Sequence, residues 1–269
     1  MVLHLPNFIS PRSDLVFKLL FGDERNIELL TAFLKSALCL PEDEYDEVTI
    51  VDPHLLPEQY AAKLGILDVK VKTKEGKLID IEIQVLPTLE LRERVVFYSA
   101  KMIAEQVASG DDYSKLKRVI SIIITDYILI PENDIYQNRY TLYDSNTSSE
   151  FTNLIEINTL ELPKLPKDDD GTELWAWMSF LNARNEEELQ MVAAQNPQVK
   201  NAVVRLQELS ANERTRLLLE SRQKMEWDNR GREKMALIEA AKRLLHLGIA
   251  ADTVAEGTGL SLEEIKSIA

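Results

Sequence analysis

The sequence predicts an α/β fold with a core of the order αβββαβ, a mixed sheet flanked by helices, followed by an all-α C-terminal region. Apolar residues recur at helical spacing in "SDLVFKLLFGDERNIELLTAFLKSAL" at the start of the chain. β-branched segments with strand alternation then follow. From Thr172 onward the pattern is helical and no strand signal returns.

The individual elements of the predicted core follow from local signals. Ser13 stands where it can cap the first helix, and "FGDERN" predicts a break between two helical pieces. The expected strands are "EVTIVD", "KLGILDVKVKT", "KLIDIEIQV" and "KLKRVISIIITDYIL", with "NRYTLYD" and "LIEINTLELPKL" as two further candidates. The helix "TLELRERVVFYSAKMIAEQVASG" lies between the third and fourth strands.

Three segments are predicted along the chain: a core at residues 10–165, a helical extension at 172–230 and a helix-turn-helix-like tail at 231–269. The boundary after the core is "LPKLPKDDDGTE", which is rich in proline, glycine and acidic residues. In the tail, a long helix is expected to stop near Gly248. Ser261 and Glu264 have the spacing of a capping box.

Composition excludes several classes of protein. A single cysteine, Cys39, rules out a disulfide framework and a thiolate cage, and it is expected to be a small core residue. Three scattered histidines do not favour a zinc site. The sequence has no apolar run long enough to span a bilayer and no secretory signal pattern, so we expect a cytoplasmic protein with no membrane partner.

The charge balance disfavours broad electrostatic binding of DNA. The chain has 31 basic and 45 acidic residues and a formal net charge of −14. DNA-binding domains usually carry a basic surface. A DNA partner would therefore be contacted by a local patch.

Two registers are open to the hairpin between "GILDVKV" and "LIDIEIQ". A two-residue loop at Glu75-Gly76 mixes charged and apolar side chains on both faces. A three-residue loop with Gly76 in the left-handed position places the charged side chains on one face and the apolar side chains on the other. That register pairs Lys70 with Asp80, Asp68 with Glu82, and Ile66 with Gln84, and we expect it because it preserves the alternation.

Opposed carboxylates predict a divalent metal site. In the favoured register Asp68 and Glu82 have Cβ atoms roughly 5 Å apart, which is unfavourable unless a positive charge lies between them. Hard oxygen ligands suit Mg²⁺ or Mn²⁺, and Gln84 lies next along the same face. The alternative is a solvated hairpin face on which Lys70 and Asp80 form an ordinary ion pair.

The following helix presents Arg94, Tyr98 and Lys101 on one face because their spacings are four and three. This face could contact phosphates. The alternative is an amphipathic helix whose polar side is solvated. Under that interpretation the core residues of the helix are Val95, Phe97 and Met102.

The arrangement resembles the recombination-promoting nuclease and transposase family of the PD-(D/E)XK nuclease superfamily. In that superfamily an αβββαβ core carries an acidic residue on the second strand and a (D/E)-x-(K/Q) triplet on the third. The matching stretches, which span most of the chain, are "SDLVFKLLFGDERN", "LDVKV", "IDIEIQ", "RERVVFYSAKM", "VISIIITDY", "LIEINTLELPKL" and "AEGTGLSLEEI".

The resemblance implies a DNA endonuclease that hydrolyses phosphodiester bonds with Mg²⁺ or Mn²⁺. It places Asp68 and Glu82 as metal ligands and catalytic residues, and Gln84 in the position of the usual catalytic lysine. A neutral amide can orient the nucleophile only by hydrogen bonding. An acid from the first helical region is also typical, and Glu28 and Asp14 are both candidates.

Two other classes of function stay open. One is a nuclease fold that has lost turnover and serves as a DNA-binding or regulatory interaction module, which the acidic balance and Gln84 favour. The other is a helical scaffold that meets a partner through Trp175, Trp177 and Phe180. A closely spaced aromatic group in a helix is more often part of the core.

The sequence of the tail indicates a role in assembly rather than in DNA recognition. Its last helix begins with Glu263 and Glu264, which repel phosphates, and only Lys266 is basic. We therefore expect a homo-oligomer or partner contact through the C-terminal helices. Deletion from Gly248 onward should change the sedimentation coefficient more than the Kd for DNA. A changed Kd with unchanged sedimentation would contradict this.

Overall fold

The computed structural model describes residues 8–51 and 68–268. The helices are α1 Asp14–Phe21, α2 Ile27–Ala37, α3 Leu91–Ala104, α4 Glu173–Asn182, α5 Glu186–Gln195, α6 Pro197–Ala211, α7 Glu213–His246, α8 Ala251–Thr258 and α9 Leu262–Ile268. The strands are β1 Thr49–Ile50, β2 Asp68–Lys72, β3 Leu78–Gln84, β4 Val119–Thr125, β5 Gln137–Tyr143 and β6 Glu150–Glu161. Short 3₁₀ turns, including Glu24–Asn26 between α1 and α2, join them.

In the described part of the chain the strands form one mixed sheet in the order β1-β2-β3-β4-β6-β5. Strands β3, β4 and β6 are parallel, while β1, β2 and β5 run antiparallel to their neighbours. The predicted αβββαβ order is confirmed, as are the two further strands and the break at "FGDERN".

The β2–β3 hairpin has the predicted three-residue loop. The Thr73 amide donates to the Lys77 carbonyl at 3.0 Å, and the Gly76 amide donates to the Thr73 carbonyl at 2.9 Å. Gly76 has φ +89°, a conformation that favours glycine. Asp68 stands opposite Glu82 and Lys70 opposite Asp80, as predicted. The expected Ile66–Gln84 pair lies outside the described residues.

Alternation gives β3 two different faces, and both are covered. Ile79, Ile81 and Ile83 lie on an apolar face and are at most 3% exposed. Asp80 and Glu82 lie on the other face, yet they are only 8% and 7% exposed. The alternative of a solvated hairpin face is therefore wrong for these two carboxylates.

Helix α3 covers the polar face of the sheet. Leu91 and Val95 pack with Ile123 of β4 in a buried cluster. One turn farther along, the Ser99 and Ser121 hydroxyls are 2.9 Å apart in a buried hydrogen bond. Spacing of four residues along the helix therefore directs one stripe of α3 onto β4.

An aromatic cluster joins α4 to the first two helices. The centroid of the Trp177 ring lies 5.8 Å from that of Phe21, 5.9 Å from that of Phe33 and 6.2 Å from that of Phe180. Trp175 is 8% exposed. These rings are core residues, so the interpretation of this group as a partner surface is wrong.

The chain divides into two compact units, Met1–Ala211 and Asn212–Ala269. Helices α4–α6 belong to the unit that contains the sheet, so this division does not coincide with the sequence-based boundaries near 165–172 and at 230. No described helix combines the length and apolar character needed to cross a bilayer.

Helices α7, α8 and α9 form the second unit around a small apolar core. Its buried members are Ala241, Val254, Leu260 and Ile265. The long helix α7 ends just before Gly248, as predicted. The capping box is confirmed: the Ser261 amide donates to Glu264 at 2.9 Å, and the Glu264 amide donates to the Ser261 hydroxyl at 3.3 Å. The pKa of the Glu264 carboxylate is lowered to about 2. The largest cause is a hydrogen bond from Lys234, and the hydrogen bonds from Ser261 come next.

Two local expectations are wrong. Cys39 is exposed, because α2 ends at Ala37 and the chain leaves the helical pattern before the cysteine. Ser13 occupies the N-cap position of α1, but its side chain makes no capping hydrogen bond. The neighbouring Asp14 carboxylate instead accepts from the Leu15 amide at 2.7 Å.

Candidate active site

The candidate site lies at the end of the sheet where β2 begins and β3 finishes. Asp68 is the first residue of β2, and register places it directly opposite Glu82. Gln84 is the last residue of β3, on the same face as Glu82. Hairpin register and strand alternation thus place all three predicted positions at this end of the sheet.

The Glu82 carboxylate is held by two donors that meet at the same oxygen. Arg94 Nη2 donates to Glu82 Oε1 at 2.5 Å, and Gln84 Nε2 donates to that oxygen as well. The side chains of Arg94 and Glu82 are 27% and 9% exposed. This buried charge therefore has a cationic partner supplied by the first turn of α3.

A second carboxylate lies on the same face of β3. Asp80 is two residues before Glu82 and stands opposite Lys70 of β2. Because alternate residues of a strand share a face, both acids point to the side of the sheet that α3 covers. The face thus combines three acidic positions, Asp68, Asp80 and Glu82, with cationic side chains on both neighbouring elements.

An ion pair beside the site was not foreseen from the sequence. The Asp126 amide donates to the Gln84 carbonyl at 3.1 Å, which fixes Asp126 beside the end of β3. Its two carboxylate oxygens accept from Arg12 Nη1, each at 2.8 Å. This pair connects the segment that leads into α1, and hence Asp14, to the end of β3 and β4. The available signal was an acid directly after a buried apolar strand.

Tyr127 is a second residue that sequence reasoning missed. Its ring packs against the cluster of Leu91, Val95 and Ile123. Burial raises the pKa of the Tyr127 hydroxyl, and Arg94 and Glu82 are close enough to influence it electrostatically. Tyr127, two residues after β4, therefore lies near the pair of Arg94 and Glu82.

The phosphate-contact candidates on α3 have different surroundings. Arg94 forms an ion pair with Glu82. Tyr98 is half-buried with its ring 5.5 Å from Phe97, and Lys101 is exposed with Nζ 3.7 Å from Glu105 Oε1. Phe97 is 63% exposed, so its expected place in the core is wrong.

The accessory acids also differ in position. Asp14 lies in the first turn of α1, next to the segment tied down by Arg12. Helix α1 packs against β2 and β3. Glu28 is exposed in the first turn of α2. Asp14 is thus the candidate that the fold connects to the site.

The donor chemistry of this face fits a hard divalent ion. Glu82 and Asp80 contribute carboxylate oxygens and Gln84 an amide oxygen, the ligand types preferred by Mg²⁺ and Mn²⁺. Among the described side chains, which do not include that of Asp68, no group of three or more His, Cys, Asp and Glu residues surrounds one metal position. The described side chains therefore offer suitable ligand types but do not by themselves form a complete ligand cage.

Comparison with known families decides which family the chain belongs to. A family model described as "PD-(D/E)XK nuclease family transposase" matches residues 11–236. The chain belongs to this family. Comparisons with curated proteins and with solved structures returned no match.

Membership in the PD-(D/E)XK nuclease family transposases indicates a nuclease role linked to mobile elements, with DNA as the implied substrate. Nucleases of this superfamily generally use divalent metals. The match begins at Pro11, includes the whole sheet and ends within α7, before α8 and α9. It confirms the resemblance and the fold class inferred from the sequence, while the roles of individual residues stay predictions.

The Arg12–Asp126 pair should contribute measurably to the stability of the sheet-containing unit. We expect a double-mutant cycle of Arg12→Ala and Asp126→Ala to give a coupling energy of about 1 kcal/mol, because both side chains are largely buried. Urea unfolding followed by the fluorescence of Trp175 and Trp177, in a Trp227→Phe background, measures it.

A matched control is the exposed pair of Lys115 and Asp111, whose side chains are 63% and 35% exposed. Its coupling energy should stay below about 0.5 kcal/mol, as is usual for surface pairs. Equal coupling energies for the two pairs would contradict a structural role for Arg12 and Asp126.

Proposed function

We propose that the protein is a metal-dependent DNA endonuclease, linked to DNA recombination or mobile elements, with its active site at Asp68, Glu82 and Gln84. The main observation in support of this function is that the buried Glu82 carboxylate belongs to a residue directly opposite a second acidic position, Asp68. Two acidic residues directly opposite each other on paired strands are unfavourable, and a protein gains from the arrangement when the acids bind a cation.

In this proposal Asp68 and Glu82 hold Mg²⁺ or Mn²⁺, and Asp80 lies beside them on the same face. When bound, the metal supplies a Lewis acid that activates water and neutralises the charge that develops on the phosphate. Gln84 orients the attacking water by hydrogen bonding. Asp14 is the accessory acid that the fold favours over Glu28.

Phosphate binding is assigned to α3. Arg94 lies in its first turn, and Tyr98 and Lys101 continue the same stripe toward its C-terminus. A guanidinium group can bind two phosphate oxygens at once. Because the chain has a net charge of −14, these local cations are the expected source of attraction for DNA beside the catalytic acids.

A specific observation favours a second candidate function. The Gln84 amide nitrogen is already bound to Glu82, and Arg94 neutralises the same carboxylate. A fold that keeps this arrangement permanently would be a DNA-binding or regulatory interaction module without turnover. The two candidates differ in whether Glu82 is needed for hydrolysis or only for stability.

Cleavage of supercoiled plasmid separates these candidates. The purified chain is incubated with Mg²⁺, Mn²⁺, Ca²⁺ or EDTA, beside Asp68→Ala and Glu82→Ala and the isosteric Asp68→Asn and Glu82→Gln. We expect nicking or linearisation with Mg²⁺ or Mn²⁺, and a loss of at least about 100-fold in each variant, the scale of removing a group essential for transition-state stabilisation.

Asp168→Ala is the matched control, because Asp168 is an exposed acid in the loop before α4. It should cleave at the wild-type rate. Intact plasmid with every metal, together with DNA binding that the site variants leave unchanged, would reject the endonuclease and favour the non-catalytic module.

A further inference from the structure

We propose that Arg94 acts as an internal counter-ion that competes with the divalent metal for Glu82, so that metal binding releases Arg94 for a DNA phosphate. The proposal rests on the endonuclease function above and adds a coupling step between its two ligands. Arg94 would be a positioning residue before metal binding and a phosphate ligand afterwards.

One oxygen of the Glu82 carboxylate already accepts two hydrogen bonds. Glu82 Oε1 accepts from Arg94 Nη2 at 2.5 Å and from Gln84 Nε2. A carboxylate oxygen has two lone-pair positions, and these two donors use both. A metal ion that binds Oε1 must therefore displace at least one donor, and one that binds the other oxygen of the same carboxylate meets the guanidinium charge at close range.

Electrostatic repulsion also opposes the joint binding of Arg94 and a metal ion to Glu82. Glu82 is 7% exposed, and its surroundings screen charges less than water does. A dication and a guanidinium group next to the same carboxylate repel each other strongly in such a place. Arg94 rather than Gln84 is the donor expected to leave, because the amide is neutral.

The Arg94 side chain lies close to the surface on which DNA is proposed to bind. Arg94 is 27% exposed and lies in the first turn of α3, on the stripe that continues to Tyr98 and Lys101. Because the side chain is long and already partly exposed, its release from Glu82 would leave the guanidinium at the solvent boundary. The helix N-terminus also favours an approaching anion.

The coupling has a reciprocal consequence. If metal binding frees Arg94 to bind phosphate, then bound DNA must raise the affinity for the metal by the same factor. The metal-free protein would hold Glu82 neutralised and the phosphate-binding side chain withdrawn. Arg94 thus makes the site selective for DNA and metal together.

Metal binding without DNA tests the proposal directly. Mn²⁺ is titrated calorimetrically into the full chain and into Arg94→Ala, Arg94→Met and Arg94→Lys. We expect Mn²⁺ to bind Arg94→Ala and Arg94→Met about tenfold more tightly than wild type, within the usual range of coupling between two binding events. Arg94→Lys should lie near wild type because it keeps the charge.

The matched control is Arg92→Ala on the same helix. Arg92 Nη2 donates to the Leu129 carbonyl at 2.5 Å and lies 3.9 Å from Glu132, and its side chain is 53% exposed. Removing it changes the net charge equally without touching Glu82. Its Mn²⁺ affinity should equal that of wild type.

Glu82→Gln distinguishes failure of this proposal from failure of the proposed function. If Glu82→Gln abolishes the Mn²⁺ site but the Arg94 variants bind Mn²⁺ as wild type does, the competition is rejected and the metal site survives. Equal tightening in Arg92→Ala and Arg94→Ala also rejects it, because the effect would then be one of net charge. If Glu82→Gln leaves Mn²⁺ binding unchanged, both proposals fail.

Discussion

The buried charge of Glu82 is the constraint on which the rest of the structure depends. A carboxylate at this depth is stable only with a cationic or hydrogen-bonding partner, and removing one partner of a buried ion pair typically costs about 3–5 kcal/mol. Arg94 and Gln84 supply the partners here. The proposed metal site, phosphate contact and coupling all follow from which cation holds this carboxylate.

Three features of the fold place that charge. Gly76 sets the hairpin register that puts Asp68 opposite Glu82. Helix α3 packs on β4 through every fourth residue, which brings Arg94 over β3. The ion pair of Arg12 and Asp126 connects the segment before α1 to the same end of the sheet. The site therefore combines one local pairing with two connections between elements distant in sequence.

The sequence predicted what local physics determines. The hairpin register followed from turn chemistry and alternation, because a slip of one residue would mix polar and apolar faces. The Arg12–Asp126 pair spans more than a hundred residues, so no local pattern could predict it. Phe97 and Cys39 were wrongly placed in the core because apolar character alone does not say which side of a helix is covered, or where a helix ends.

The proposed function and the coupling with Arg94 both depend on a divalent metal site formed by Glu82 and the opposed Asp68. Anomalous scattering from a crystal of the protein grown with Mn²⁺ tests this most directly. We expect a peak between these two side chains, with the Arg94 guanidinium displaced from Glu82. A map without a peak at this position, and with the ion pair of Arg94 and Glu82 intact at saturating Mn²⁺, would contradict it.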